Sequence, residues 1–176
     1  IAHATCVLVL LLLAGPVSAQ VPRSIGNTGF EAPVLSDQYG NCYAQLGSQQ
    51  VPSWRTSHPV ALGNNTCGDP APERGPLVEL WLYPDAAREG RQFAEINASA
   101  NSRLSQPLCL ATGEQVRWQL SHRARTGTDT MSVNINGTTN EIMRASTNTF
   151  GNGTVLSCGG GAAGNATCRQ VAVTGV

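Results

Sequence analysis

The chain has 176 residues with 11 basic and 11 acidic side chains, a formal net charge of zero, and arginine as its one strongly basic residue type. Nucleic acid and anionic membranes both require a basic surface, so this balance argues against either as a partner. Only 12% of the chain is charged, while Gly, Ser, Thr and Asn are abundant. That composition belongs to short strands and many turns rather than to helices.

Residues 1–19 read as a signal peptide that is incomplete at its N-terminus. An apolar run from Cys6 to Ala14 is broken by Gly15-Pro16 and closes on Val17-Ser18-Ala19, small residues that place cleavage after Ala19. The run is short for a membrane span and no second one follows, so no transmembrane segment is expected. The expected product is secreted or held at the cell surface. Residues 20–176 form a single domain of a size that supports its own core. The closing "QVAVTGV" reads as a strand cut short at the C-terminus.

Cys42, Cys67, Cys109, Cys158 and Cys168 remain after cleavage, in a compartment that favours disulfides. Cys158 and Cys168 bracket the flexible "GGGAAGNAT", and Cys42 with Cys67 is the next most local pairing. Cys109 is then left over, either buried as a small hydrophobe or paired beyond Val176. Connectivity stays open at this level.

In chain order, residues 34–76 are rich in Gly, Pro, Asn and Gln and read as long loops tied by a disulfide. "PLVELWLYP" then alternates, with Val78, Leu80 and Leu82 on one face and Glu79, Trp81 and Tyr83 on the other. "RQFAEINA" sets Ala94, Ile96 and Ala98 against Phe93, Glu95 and Asn97. "EQVRWQLSHR" groups Val116, Trp118, Leu120 and His122 opposite Arg117, Gln119, Ser121 and Arg123. "DTMSVNING" sets Met131, Val133 and Ile135 against Ser132, Asn134 and Asn136. Turn residues separate these runs, and residues 145–168 read as a further long loop with one strand at 154–157. Short alternating strands at this spacing predict an all-β antiparallel β-sandwich.

Several separated motifs fit a known pattern: "GNTGFEAP" (26–33), Trp54, "VELW" (78–81), "GRQFAEINA" (90–98), "LSQPL" (104–108) and "WQLSHRARTGTDTMSVNING" (118–137). Their order resembles galactose-binding-like jelly-roll domains of secreted bacterial surface proteins, over roughly residues 24–143. The N-x-G-F-E opening followed by a Trp is similar to carbohydrate-binding modules of families 4 and 9, and to a plant cell-wall family of unassigned function. The resemblance implies a galactose-binding-domain-like jelly roll without catalysis of its own. It also implies a possible structural calcium near the first strand, for which Glu31 is the matching ligand position. The closing strand of that family, with its Asp pair, has no counterpart here.

The outward row of the predicted sheet carries the chemistry a glycan needs. An aromatic face stacks on the apolar side of a pyranose, and carboxylate, amide and guanidinium groups take its hydroxyls. If strands 78–83, 92–98 and 116–123 are neighbours, then Glu79, Trp81, Tyr83, Glu95, Asn97, Arg117, Gln119 and Arg123 form the ligand-binding face. The plainer reading covers Trp81 with a loop and makes the polar groups ordinary cross-strand pairs. His122 near Asp129 lacks the G-x-S-x-G turn of a nucleophile and reads as a satisfied histidine beside an Arg–Asp bridge across "RTGTD". No H-E-x-x-H is present. A glycoside hydrolase would need Glu79 and Glu95 to flank a bond in a cleft that nothing else builds. Five N-x-S/T sequons, beginning with Asn64 and Asn97, are what a chain this rich in Asn, Ser and Thr produces by chance. The expected function is binding of a polysaccharide or cell-surface glycan. A structural or adhesive domain with a protein partner is the second expectation.

Overall fold

The computed structural model describes residues 25–36, 41–108 and 118–134, and the backbone of two further strands at 141–148 and 154–158. The signal-peptide reading, Cys109, Arg117, Cys168 and the C-terminal strand lie outside the described residues. The described chain is all β, in ten strands: β1 Cys42–Gly47, β2 Arg55–Thr56, β3 Val60–Leu62, β4 Arg74–Leu82, β5 Gln92–Glu95, β6 Leu104–Ser105, β7 Trp118–His122, β8 Thr128–Asn134, β9 Glu141–Asn148 and β10 Thr154–Cys158. Every ladder is antiparallel. No helix among the described residues is long and apolar enough to cross a membrane.

The main sheet is built around β4. Leu77–Leu82 pair with β1, Glu79–Leu82 pair with β5 on the opposite edge, and Arg74–Pro76 pair with β3. The remaining strands pair as β7 with β10, β8 with β9 and β2 with β6. Alternation sorts the faces as expected on β4, where Val78, Leu80 and Leu82 are all buried. Register sets them opposite Leu46, Ala44 and Cys42 of β1. Together with Leu35, Val51 and Cys67 they make the core, and Phe30, Trp54, Ala94 and Leu104 pack against it. Each fully buried Leu or Val contributes about 1.5–3 kcal/mol by leaving water.

Cys42 and Cys67 are joined across the edge of this core, 25 residues apart in the chain. The pairing read as the second most local is therefore present. The segment read as loop is more ordered than expected, because β1, β2 and β3 all fall within 34–76. Its alternation, Cys42-Ala44-Leu46, uses two small side chains and is diluted by polar neighbours. Pairing with β4 supplies what local propensity does not. Likewise β9 occupies positions 145–148, which read as loop.

The segment before β1 is docked by side chains from later in the chain. Gln106 both accepts from Gly26 N and donates to Gly26 O, at 3.1 and 2.6 Å. The buried Gln92 side chain donates to the carbonyls of Phe30 and Pro33 and accepts from Leu35 N. Phe30 has φ 58°, a left-handed conformation that a bulky residue rarely adopts. Its ring stacks on Trp54 with centroids 4.7 Å apart, and that packing holds it there.

Candidate functional site

Register explains which outward side chains meet. Tyr43, Trp81 and Phe93 are cross-strand partners on β1, β4 and β5, and so are Gln45, Glu79 and Glu95 one step along. Side chains directly opposite in an antiparallel pair stand within contact distance. The three rings accordingly stack side by side, with centroids 5.0 Å apart for Tyr43–Trp81 and 6.4 Å for Trp81–Phe93. Trp81 therefore has a ring neighbour on each flanking strand.

The second row sets two carboxyl groups against each other, which is unfavourable unless donors separate their charge. Trp81 Nε1 donates to both, at 2.7 Å to Glu79 Oε1 and 3.1 Å to Glu95 Oε2. Gln45 Nε2 donates to Glu79 Oε2 at 2.8 Å. Glu79 is 2% exposed, as a buried polar group can be when its oxygens are occupied. Glu95 lies nearer the surface and forms an ion pair with Arg125 at 3.1 Å. Burial, followed by the facing Glu79 carboxylate, raises the Glu95 pKa above the ordinary 4.5, while Arg125 pulls it back.

A turn between β7 and β8 covers part of this face. Arg125 lies over the Trp81 ring at 5.8 Å and Arg123 over Phe93 at 5.7 Å, distances at which a guanidinium is attracted to the ring quadrupole. Arg125 is 62% exposed, so it caps the ring without sealing the site. At the far edge, Asn64 Nδ2 donates to the Tyr43 hydroxyl at 2.8 Å, and Asn64 N to Gln45 Oε1 at 3.2 Å.

Of the eight residues singled out from sequence, Glu79, Trp81, Glu95 and Arg123 come together here. Tyr83 follows β4 and turns the chain, its carbonyl accepting from the N–H groups of Ala86 and Ala87. The strand expected to run through Ala98 ends at Glu95. Asn97 is exposed in the next turn and accepts from Ser102 N at 3.3 Å. Gln119 is exposed on β7, in register with Ser157 of β10 rather than with the ring row. Sequence reasoning missed Tyr43, Gln45, Phe93 and Arg125. The first two sit on a strand read as loop, and Phe93 was placed on the correct face without being chosen. Arg125 of "RTGTD", from the turn after β7, is the arginine that pairs with Glu95.

Glu31, the calcium position implied by resemblance, braces the start of β5. Its Oε1 accepts from Arg91 N and Gln92 N, both at 2.8 Å. Among the described residues no three His, Cys, Asp or Glu side chains cluster as metal ligands would. His58 is buried at 4% exposure. Its Nδ1 donates to the Pro59 carbonyl at 2.7 Å, so Nε2 is the nitrogen that accepts from Ser99 Oγ at 3.0 Å. This ties two loops together. Burial lowers the pKa of His122, and Asp129 opposes the shift.

A shallow groove of about 570 Å³, lined by Val51, Pro52, Trp54, Arg55 and Pro107 among others, shares no residue with the ring row. Its Trp54 is engaged by Phe30 and donates Nε1 to Asn27 O at 2.9 Å. The ring row rather than this groove gathers aromatic, carboxyl, amide and guanidinium groups. No family model, curated protein or solved structure matches the chain.

Proposed function

We propose that the chain is a secreted, non-catalytic module of the galactose-binding-like jelly-roll type, and that it holds a glycan on the outer face of β1, β4 and β5. One observation carries the reading. A half-exposed face brings Trp81, Tyr43 and Phe93 beside Glu95, Gln45, Asn64 and Arg125, the side-chain types that hold sugar hydroxyls and ring edges. The disulfide suits an oxidising compartment. Hydrolysis fits this face poorly. Glu79 and Glu95 share the single N–H of Trp81, with an oxygen of each within 3.1 Å of that one nitrogen. Carboxyl groups that flank a glycosidic bond stand about 5–9.5 Å apart.

A glycan array followed by calorimetry on the full chain tests the proposal. Binding to at least one polysaccharide without release of reducing ends is the expected result. Trp81→Ala should weaken it by about tenfold or more, since it removes the donor that both carboxyl groups share. Silence across all polysaccharides would sink it. A second reading has its own observation. Val60 and Leu62 of β3 are 60% and 68% exposed on one side of their short strand, as a protein contact would have them. Val60→Arg with Leu62→Arg should abolish partner capture if adhesion is the function, and leave glycan binding intact if it is not.

A further inference from the structure

A neutral pyranose binds best by laying its C–H face on an open aromatic ring. Trp81 offers little of that surface. Tyr43 flanks it from β1 and Phe93 from β5, and Arg125 caps it. The groups left to choose among sugars are the amides of Gln45 and Asn64 and the charged side chains, and only the charged ones separate acidic from neutral sugars. The most exposed of them is the Arg125 guanidinium, held by Glu95 in an ion pair near the surface. Arg125 is 62% exposed, so water competes for its guanidinium and weakens the pair. A carboxylate on a ligand can take the planar guanidinium in two parallel hydrogen bonds and match or exceed that partner.

Releasing Arg125 would normally strand a negative charge on Glu95. Here the charge has somewhere to go. The charged and titratable groups facing Glu95 are Glu79 from β4 and Arg125 from the turn after β7, with Arg123 beyond it at Phe93. β1 contributes the neutral Gln45 and the Tyr43 phenol. With Arg125 gone, Glu79 is the nearest charge left, and it favours a proton on Glu95. Glu79 retains its own donors, Gln45 Nε2 and Trp81 Nε1.

Resting on the glycan-binding reading above, we infer that this face selects sugars carrying a carboxylate, uronic-acid units, and that Arg125 passes from Glu95 to the ligand while Glu95 takes up a proton from solvent. Glu95 already has a raised pKa, and loss of Arg125 raises it further. Binding is therefore linked to proton uptake, and affinity grows as the pH falls toward the range where Glu95 titrates. No covalent bond changes.

Calorimetry with a soluble oligogalacturonate, and with the same oligomer methyl-esterified, separates charge from shape. Titrations run in two buffers of different ionisation enthalpy, at about pH 5.5 and about pH 7.5. The acid oligomer should bind about tenfold or more tightly than its ester, more strongly at the lower pH and with net proton uptake. Arg125→Ala should bring the acid oligomer down to the ester's level. Glu95→Gln, close to isosteric, should tighten binding at the higher pH and abolish proton uptake; a thermal melt of each variant confirms folding. Equal binding of acid and ester, binding of the acid without proton uptake, or a preference that survives Arg125→Ala would each overturn the inference. If other polysaccharides bind while both oligomers do not, the inference fails and the glycan-binding reading stands. If no glycan binds, both fall.

Discussion

Gly90 shows how one residue connects the first segment of the fold to the site. It has φ +68°, and the space its Cβ would fill is taken by the Glu31 carboxylate. That carboxylate satisfies the two N–H groups that open β5, so Glu31 and Gly90 together set where β5 begins. The position of β5 in turn places Glu95 opposite Glu79. Gly90→Ala combines left-handed strain with displacement of Glu31 and should cost about 1–3 kcal/mol in urea unfolding. A cost near zero would mean that the contact between Glu31 and β5 is dispensable. The Glu–Glu pair also rests on single atoms, since one indole N–H serves both carboxyl groups. Removing the Glu79 carboxylate takes the acceptor from Gln45 Nε2 and leaves Trp81 Nε1 with Glu95 alone, the expensive direction of a hydrogen-bond change.

At the scale of elements, β4 and the disulfide do most of the organising. β4 carries the buried row Val78, Leu80 and Leu82 on one face and Glu79 with Trp81 on the other. Its alternation was legible because large apolar side chains recur at every second position of the run. β1 was not, since its inward residues are Cys42, Ala44 and Leu46, and the first two carry little hydrophobic signal. Cys42 earns its place there through Cys67, which closes the loop containing β2 and β3. Replacing both cysteines by alanine should lower unfolding free energy by about 3 kcal/mol, because a loop of this length gains that much disorder when cut. Chemical denaturation of the double variant checks this, and an unchanged midpoint would show the loop to be held by packing alone.

For the molecule as a whole, two titrating groups work in opposite directions. Glu95 has a raised pKa, so the folded protein holds its proton at a pH where the unfolded chain has released it. Its contribution to stability is complete below about 4.5 and is lost as the pH rises through the folded value. His122 has a lowered pKa from burial, so the unfolded chain takes a proton first as the pH falls below 6.5. Its contribution is present above 6.5 and is lost on acidification through the folded value. The first slope starts above 4.5 and falls with pH, the second lies below 6.5 and rises with pH, so the two oppose each other in the window where they overlap. Glu95→Gln should therefore leave a profile in which stability rises more steeply with pH across that window. A denaturant series at several pH values reads the difference directly, and superimposable profiles would show that Glu95 titrates alike in the two states.

Alternation in "PLVELWLYP" and "RQFAEINA" determined the all-β class and which side chains of β4 and β5 turn inward, because period two is a property of the extended backbone alone. It also put Glu79, Trp81 and Glu95 on one face. Locality of Cys42 and Cys67 pointed to their pairing among the alternatives. What only the tertiary structure decided is which strands are neighbours and which turn lies over them. Cross-strand register brought Tyr43 and Gln45 beside Trp81 and Glu79 from a stretch of chain with no strand signal of its own. It also left Gln119 on another sheet. The arginine that reaches Glu95 is Arg125, two residues past the one chosen from the strand pattern, because it projects from a turn where period two no longer applies.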